Sequence, residues 1–185
     1  MRIIGGKFKG KPIAFLKSEK TRPLKDSVKE NIFNILSHSK LIKINLVNSK
    51  VLDLYSGVGS FGLEALSRGA SEVTFVEKDQ VAADILQKNI INLRVQKNVR
   101  LIKSEVHEVF KKEKFYKYNL FFFDPPFVDK NFIEIIKTIK IQKIFSKDNI
   151  IIIHRERKND DEFSKILPIT LEKEYGRSKI FFGSF

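Results

Sequence analysis

Apolar runs in this sequence stop at acids and glycines, and those stops carry the groups able to do chemistry. The stretch Asn119-Leu-Phe-Phe-Phe-Asp-Pro-Pro-Phe127 passes straight from an apolar run into an acid, two prolines and an aromatic. Proline fixes φ and has no N–H, so Pro125 and Pro126 end a sheet ladder and stiffen the backbone. The Asp124 carboxylate and the Pro125 carbonyl are then two acceptors on a rigid frame, able to grip an NH2 group. Phe127 offers a ring to stack on the planar system bearing that amine. An exocyclic ring amine is a poor nucleophile because its lone pair is delocalised. Acceptors that draw its hydrogens out of plane favour the sp3 geometry of attack. A carboxylate is too weak a base to take a proton from a neutral amine first. Its expected part is to stabilise the cation formed during group transfer, with proton loss afterwards.

A second group lies upstream, in Asp53-Leu-Tyr-Ser-Gly-Val-Gly-Ser-Phe-Gly62. Gly57 to Gly62 reads as GxGxxG, a weak signal by itself. It gains weight by lying between a strand-like and a helix-like segment, so that the backbone can approach a ligand at a helix N-terminus. Glu77 ends the next apolar run, twenty residues after Gly57. A carboxylate there can accept from both ribose hydroxyls of an adenine nucleoside. Either a dinucleotide or S-adenosylmethionine fits so far. Asp53 favours the second, because a carboxylate inside an apolar strand is costly unless it holds N–H groups and faces a cation. S-adenosylmethionine carries an ammonium and a sulfonium, whereas a dinucleotide brings two phosphates. Glu105, after the third apolar run, is placed to meet an adenine amine, although an ordinary first-turn helix acid reads the same way.

The elements that must hold these residues alternate. VLDLY (51–55), EVTFVE (72–77), VRLIK (99–103), NLFFF (119–123) and NIIIIH (149–154) read as strands. Helical patterns separate them at 61–68, 79–93, 105–112 and 130–140, with another at 24–37 where Val28, Ile32, Ile35 and Leu36 share one face. Alternation of this kind implies an α/β, doubly wound, mostly parallel sheet of seven strands. The last two strands form an antiparallel hairpin turning near Gly176-Arg177. Ligands in such sheets lie beyond the carboxyl ends of the strands, where all the groups above fall. Residues 1–23, with Gly5-Gly6 and Gly10, read as a small basic hairpin extension, and 24–185 as the Rossmann-like domain.

The chain has 185 residues, enough for one domain with a substantial core. It has no cysteine, which excludes disulfides, Cys-zinc sites and thiol catalysis and suits a reducing cytoplasm. His38, His107 and His154 lack metal-ligand spacing, so no metal is expected, and His154-Arg155 after the fifth strand receives no role. No apolar run is long enough to span a bilayer, and the start has no signal-peptide core. Net charge is +13, and the first 50 residues hold twelve Lys and Arg against three acids. A basic excess concentrated at one end suits a polyanion such as RNA.

These residues together resemble a known family. DLYSGVG, the strand-ending Glu77 and DPPF resemble class I S-adenosylmethionine-dependent methyltransferases that act on exocyclic amines. RIIGGKFKGKPI, TRPLKDSVKENIFNIL and VLDLYSGVGSFGLEALSRGASEVTFVEKD extend the match to the RsmD-like bacterial 16S rRNA guanine-N2 methyltransferases over nearly the whole chain. The resemblance implies a cytoplasmic enzyme, a monomer, working on 16S rRNA or a small-subunit assembly intermediate. It implies cofactor contacts at Asp53, Tyr55, Gly57, Gly59, Glu77, Glu105 and Asp124, and catalysis at Asp124, Pro125, Pro126 and Phe127. It also implies that Arg2, Lys7, Lys9, Lys11 and Arg22 face RNA. The chain departs from the family at Tyr55-Ser56, at Val58 and at Glu105, where a shorter side chain is usual. A DNA adenine N6 or protein glutamine methyltransferase can use the same Pro-Pro turn. A nicotinamide-dependent oxidoreductase leaves Asp53 and DPPF unexplained, and a non-catalytic ribosome-assembly factor could keep both the basic extension and the pocket.

Overall fold

The structure, a computed structural model, describes residues 1–15, 24–159 and 162–185. Arg22 lies outside the described residues. Seven strands make one sheet: β1 (Lys50–Leu54), β2 (Glu72–Glu77), β3 (Val99–Lys103), β4 (Tyr118–Phe123), β5 (Phe145–Glu156), β6 (Ile169–Tyr175) and β7 (Ser178–Gly183). Their order is β3-β2-β1-β4-β5-β7-β6. Strands β1 to β5 are parallel, while β7 runs antiparallel to both β5 and β6. The order reverses between β1 and β4, the switch point at whose carboxyl ends doubly wound sheets carry their ligand crevice.

Helices α1 (Asp26–His38), α2 (Ser60–Ser67), α3 (Gln80–Leu93), α4 (Val106–Lys112) and α5 (Phe132–Gln142) cover both faces. The two-residue period of a strand sorts the apolar residues. Val51, Leu120, Phe122, Ile150 and Ile152 pack with α1, α2 and α3. Leu52, Leu54, Phe121, Phe123, Ile151 and Ile153 pack with α4 and α5. Each such fully buried side chain contributes about 1.5–3 kcal/mol. On the first face Phe61 of α2 stacks on Phe122 at 3.9 Å between ring centroids and touches Phe33 of α1 at 4.9 Å. The stack fixes α2, and hence the glycine loop before it, over the β1–β4 crevice.

Strand β5 is longer at both ends than its apolar core suggests. Phe145 pairs with Tyr118 across a register slip in β4, and Arg155 and Glu156 pair with Lys179 and Ser178 of β7. The β6–β7 turn is the two residues Gly176 and Arg177, with Gly176 at φ +60°. The first 15 residues form one antiparallel bridge, Arg2 to Pro12, closed over a 3-10 turn at Gly6–Phe8. Gly6 and Gly10 take positive φ and Pro12 has no N–H, so a regular ladder does not extend. This segment lies on α2. Ile4 and Gly5 donate their N–H groups to the Glu64 carboxylate at 2.7 and 2.8 Å, and Phe8 donates to Ser67 Oγ at 2.9 Å. Ile3 is fully buried in the core.

Candidate active site

The site begins with Asp53, whose side chain continues the α2-facing register of β1. It is 1% exposed. Helix α2 starts after Gly59, which has no side chain to cap it. Asp53 supplies the cap from nine residues away: its Oδ2 accepts the Gly62 N–H at 2.9 Å. Its Oδ1 is buried and has no hydrogen-bond partner among the described residues. Burial holds this carboxyl well above the ordinary range, the Gly62 hydrogen bond pulls it back, and the charges of Asp124 and Glu77 push it further up. Three acids therefore lie within electrostatic reach of one another at the strand ends, an arrangement suited to a cationic or hydroxyl-bearing ligand.

The glycine loop bends sharply above it. Tyr55, Gly57 and Gly59 all have positive φ, at 62°, 53° and 84°. A Cβ at Gly59 would collide with Leu86 Cδ1, whereas one at Gly57 would point into open space. Close packing thus demands the second glycine, and the first leaves room for a ligand. Glu77 locks the loop, taking the Gly57 N–H at 2.7 Å on one oxygen and the Asp79 N–H at 2.8 Å on the other. Each carboxylate oxygen keeps a further lone pair for a ligand hydroxyl. Asn89 of α3 ties the loop to the N-terminal segment. Its amide N–H donates to Val58 O and Ala14 O, both at 3.0 Å, and its Oδ1 accepts the Ala14 N–H at 2.9 Å.

The predicted DPPF turn sits beside this loop, because β4 pairs directly with β1 and the Asp124 N–H donates to Leu54 O at 3.4 Å. Pro125 is buried, Pro126 is exposed, and Asp124 and Phe127 are half-buried. Burial and the nearby charge of Asp129, beyond the DPPF turn, raise the Tyr55 phenol above its usual range.

Two residues to which the sequence reading assigned no role hold the turn. His154 Nδ1 lies 2.8 Å from Asp124 Oδ1, and its Nε2 lies 2.9 Å from Ser178 Oγ. Arg155, fully buried, donates through Nη1 to Pro126 O at 3.1 Å and through Nη2 to Phe127 O at 2.8 Å; Nη1 also stands 3.5 Å from Pro125 O. Asn159 Nδ2 donates to Phe127 O at 2.6 Å. The signal was available: β5 also ends at the carboxyl edge of the sheet, and an apolar run that stops at His-Arg obeys the rule that selected Asp53 and Asp124.

Two other predicted groups lie apart. Glu105 is exposed at the start of α4, 3.3 Å from Lys78 Nζ and 3.3 Å from His107 Nδ1. It ends the β3 side of the crevice, but in an exposed pair of the kind worth less than about 1 kcal/mol. Arg2, Lys7, Lys9 and Lys11 are exposed on the N-terminal segment, with the Lys7 and Lys11 ammonium groups 4.8 and 5.2 Å from the centre of the Phe8 ring. Among the described residues, no three His, Asp or Glu are grouped as metal ligands would be, and no helix is long and apolar enough to cross a membrane.

Comparison with known proteins gives this site a context. The family profile described as Conserved hypothetical protein 95 matches residues 1–184. A ribosomal RNA small subunit methyltransferase D of Buchnera aphidicola is 33% identical over 156 residues, covering 84% of this chain and 78% of the relative. Its counterpart in Escherichia coli is 36% identical over 127 residues, covering 69% and 60%. A solved structure from Escherichia coli, described as a candidate methyltransferase, yhhF, superposes with a TM-score of 0.83 at 27% identity, covering 99% of this chain and 96% of its own.

Proposed function

The chain belongs to the Conserved hypothetical protein 95 family, that of the small-subunit rRNA methyltransferases D, and from this we propose that it methylates ribosomal RNA with S-adenosylmethionine, at the N2 amine of a guanine in 16S rRNA. One observation carries the reading. The orphaned Asp53 Oδ1 and the anchored Asp124 carboxylate share a crevice where Gly57 leaves room for a ligand. A buried acid without a partner is costly, and a cationic ligand removes the cost.

S-adenosylmethionine supplies a methyl group already activated on a positively charged sulfur. The rest is positioning by the chain. Glu77 offers its remaining lone pairs to ribose hydroxyls, and Asp53 offers Oδ1 to the cationic end of the cofactor. Glu105 reaches the adenine amine if it leaves Lys78. Tyr55 of the glycine loop lies within the electrostatic reach of Asp129 beyond the DPPF turn. Asp124 has Oδ1 occupied by His154, so Oδ2 accepts one amine hydrogen and Pro125 O accepts the other. The two acceptors would hold the amine with its lone pair turned out of the ring plane toward the methyl donor and would stabilise the positive charge the nitrogen gains on methylation. The methylated amine is strongly acidic, and its extra proton would pass to solvent. A stacked or paired guanine has to be splayed out to reach Asp124, and Phe127 offers a face for it. Arg2, Lys7, Lys9 and Lys11 bind phosphates, so RNA affinity falls steeply with salt.

The test is direct. Ribosomal RNA from a strain lacking this gene is expected to lack one N2-methylguanine, restored by the wild-type gene and not by Asp124→Ala, with that variant folded. Restoration by Asp124→Ala sinks the catalytic assignment. Methylation that moves to an adenine or a protein glutamine sinks the substrate assignment.

A further inference from the structure

We propose that His154 and Ser178 form an orienting chain that sets the rotation of the Asp124 carboxylate, making His154 a positioning residue for methyl transfer. The proposal rests on Asp124 being the amine acceptor. Five facts support it. His154 stands on β5, the strand next to the one that ends in Asp124. Its side chain is 6% exposed, and that of Asp124 is 24% exposed. Nδ1 meets Asp124 Oδ1 at 2.8 Å, and Nε2 meets Ser178 Oγ on β7 at 2.9 Å. The Phe127 ring lies 5.6 Å away and nearly perpendicular, closing one side of the imidazole. Arg155, the next residue, holds the backbone carbonyls of the same turn.

The terminal torsion of an aspartate is soft and roughly two-fold, so a free Asp124 would offer its oxygens in many directions. A donor fixed on Oδ1 removes that freedom and leaves Oδ2 in one place. Each imidazole nitrogen takes the role its partner allows. A carboxylate accepts only, so Nδ1 carries the hydrogen and donates. Ser178 Oγ, within hydrogen-bond distance of Nε2, holds the far side of the ring. The chain then runs from Ser178 Oγ through His154 Nε2 and Nδ1–H to Asp124. A ring held at both nitrogens fixes the direction in which the carboxylate presents its second oxygen. That oxygen is what the transient cation on the amine needs.

The experiment uses the full chain and rRNA isolated from a strain lacking the gene, with turnover, rRNA affinity and S-adenosylmethionine affinity measured separately. His154→Leu is expected to lose roughly ten- to a hundredfold in kcat with KM for rRNA nearly unchanged, the size expected for one hydrogen bond to a charged group. His154→Asn, whose amide N–H lies where Nδ1–H does, recovers most of the loss, and Ser178→Ala loses a few-fold. A merely structural histidine predicts instead that Asn is no better than Leu. That result, or wild-type kcat in a folded His154→Leu, overturns the proposal. If His154→Leu does not fold, Asn and Ser178→Ala decide: unchanged kcat in Ser178→Ala overturns it. Full activity in Asp124→Ala, or no methylation by the wild type, would instead remove the reading on which the proposal rests.

Discussion

Arg155 Nη2 donates to Phe127 O at 2.8 Å, so a fully buried guanidinium on β5 grips the backbone of a turn that belongs to β4. The same group reaches Pro126 O and lies 4.7 Å from the Phe132 ring centre. Its fork geometry lets one side chain satisfy carbonyls that two prolines leave without a ladder. Arg155→Met keeps the length and loses the donors. It is expected to cost about 1–3 kcal/mol of stability by removing the donors to the half-buried carbonyls of the turn. Urea unfolding checks this, and a loss under about 0.5 kcal/mol, the usual range for a surface change, contradicts it.

The two loop glycines are expected to separate folding from binding. Gly57→Ala forces a left-handed conformation on alanine, at about 1–2 kcal/mol, but its Cβ meets nothing. It should therefore fold and lose S-adenosylmethionine affinity, because the methyl occupies space meant for the ligand. Gly59→Ala carries the same backbone cost and also strikes Leu86, adding about 1–3 kcal/mol of overpacking. Thermal melting and titration calorimetry on both variants check the contrast. Equal affinity in Gly57→Ala and wild type argues against a ligand at that place.

Asp53 makes a pH prediction. Burial above all raises its carboxyl in the folded protein. The folded state therefore binds that proton more tightly than the unfolded state does. The resulting stability is full below the unfolded value of about 4, and is lost as pH rises through the folded-state value. Asp53→Asn has no proton to lose. Without ligand, the melting temperature of the wild type should thus fall relative to that of Asp53→Asn as pH rises from about 4 toward neutrality. A gap between the two that stays flat with pH would falsify the assignment.

Glu64 links the N-terminal segment to the core. Its carboxylate, fully buried, accepts from Ile4 and Gly5 N–H and from Arg68 Nε at 2.7 Å, with Lys29 Nζ 3.8 Å away. Burial lowers the Lys29 ammonium from its usual range, and Glu64 pulls it back up. Glu64→Ala leaves Lys29 with Asp26 as its remaining acid partner among the described residues and strands two amides. The expected cost is about 3–5 kcal/mol, as for a broken buried ion pair. Amide exchange at Ile4 and Gly5 should rise together with the loss in denaturation midpoint. Protection unchanged at those amides contradicts the link.

By itself the sequence determined the parallel sheet, the terminal hairpin and the acids at the strand ends. These follow from short-range rules: the two-residue period of strands, the 3.6-residue period of helices, glycine at positive φ, and proline after a strand. Asp53, Gly57, Glu77 and Asp124 were legible as candidates for the same reason, since each lies where an apolar run ends at the carboxyl edge of the sheet. What only the tertiary structure decided is which side chains meet. The pairs His154–Asp124, Arg155–Phe127 and Asn89–Val58 join residues about 30 apart in sequence, and Glu64 reaches back sixty residues to Ile4. No local pattern encodes such contacts, because they depend on strand order and on how helices seat against the sheet. The cap of α2 is the clearest case. Gly59 has no side chain, and the carboxylate that caps the helix comes from β1, brought there by the fold.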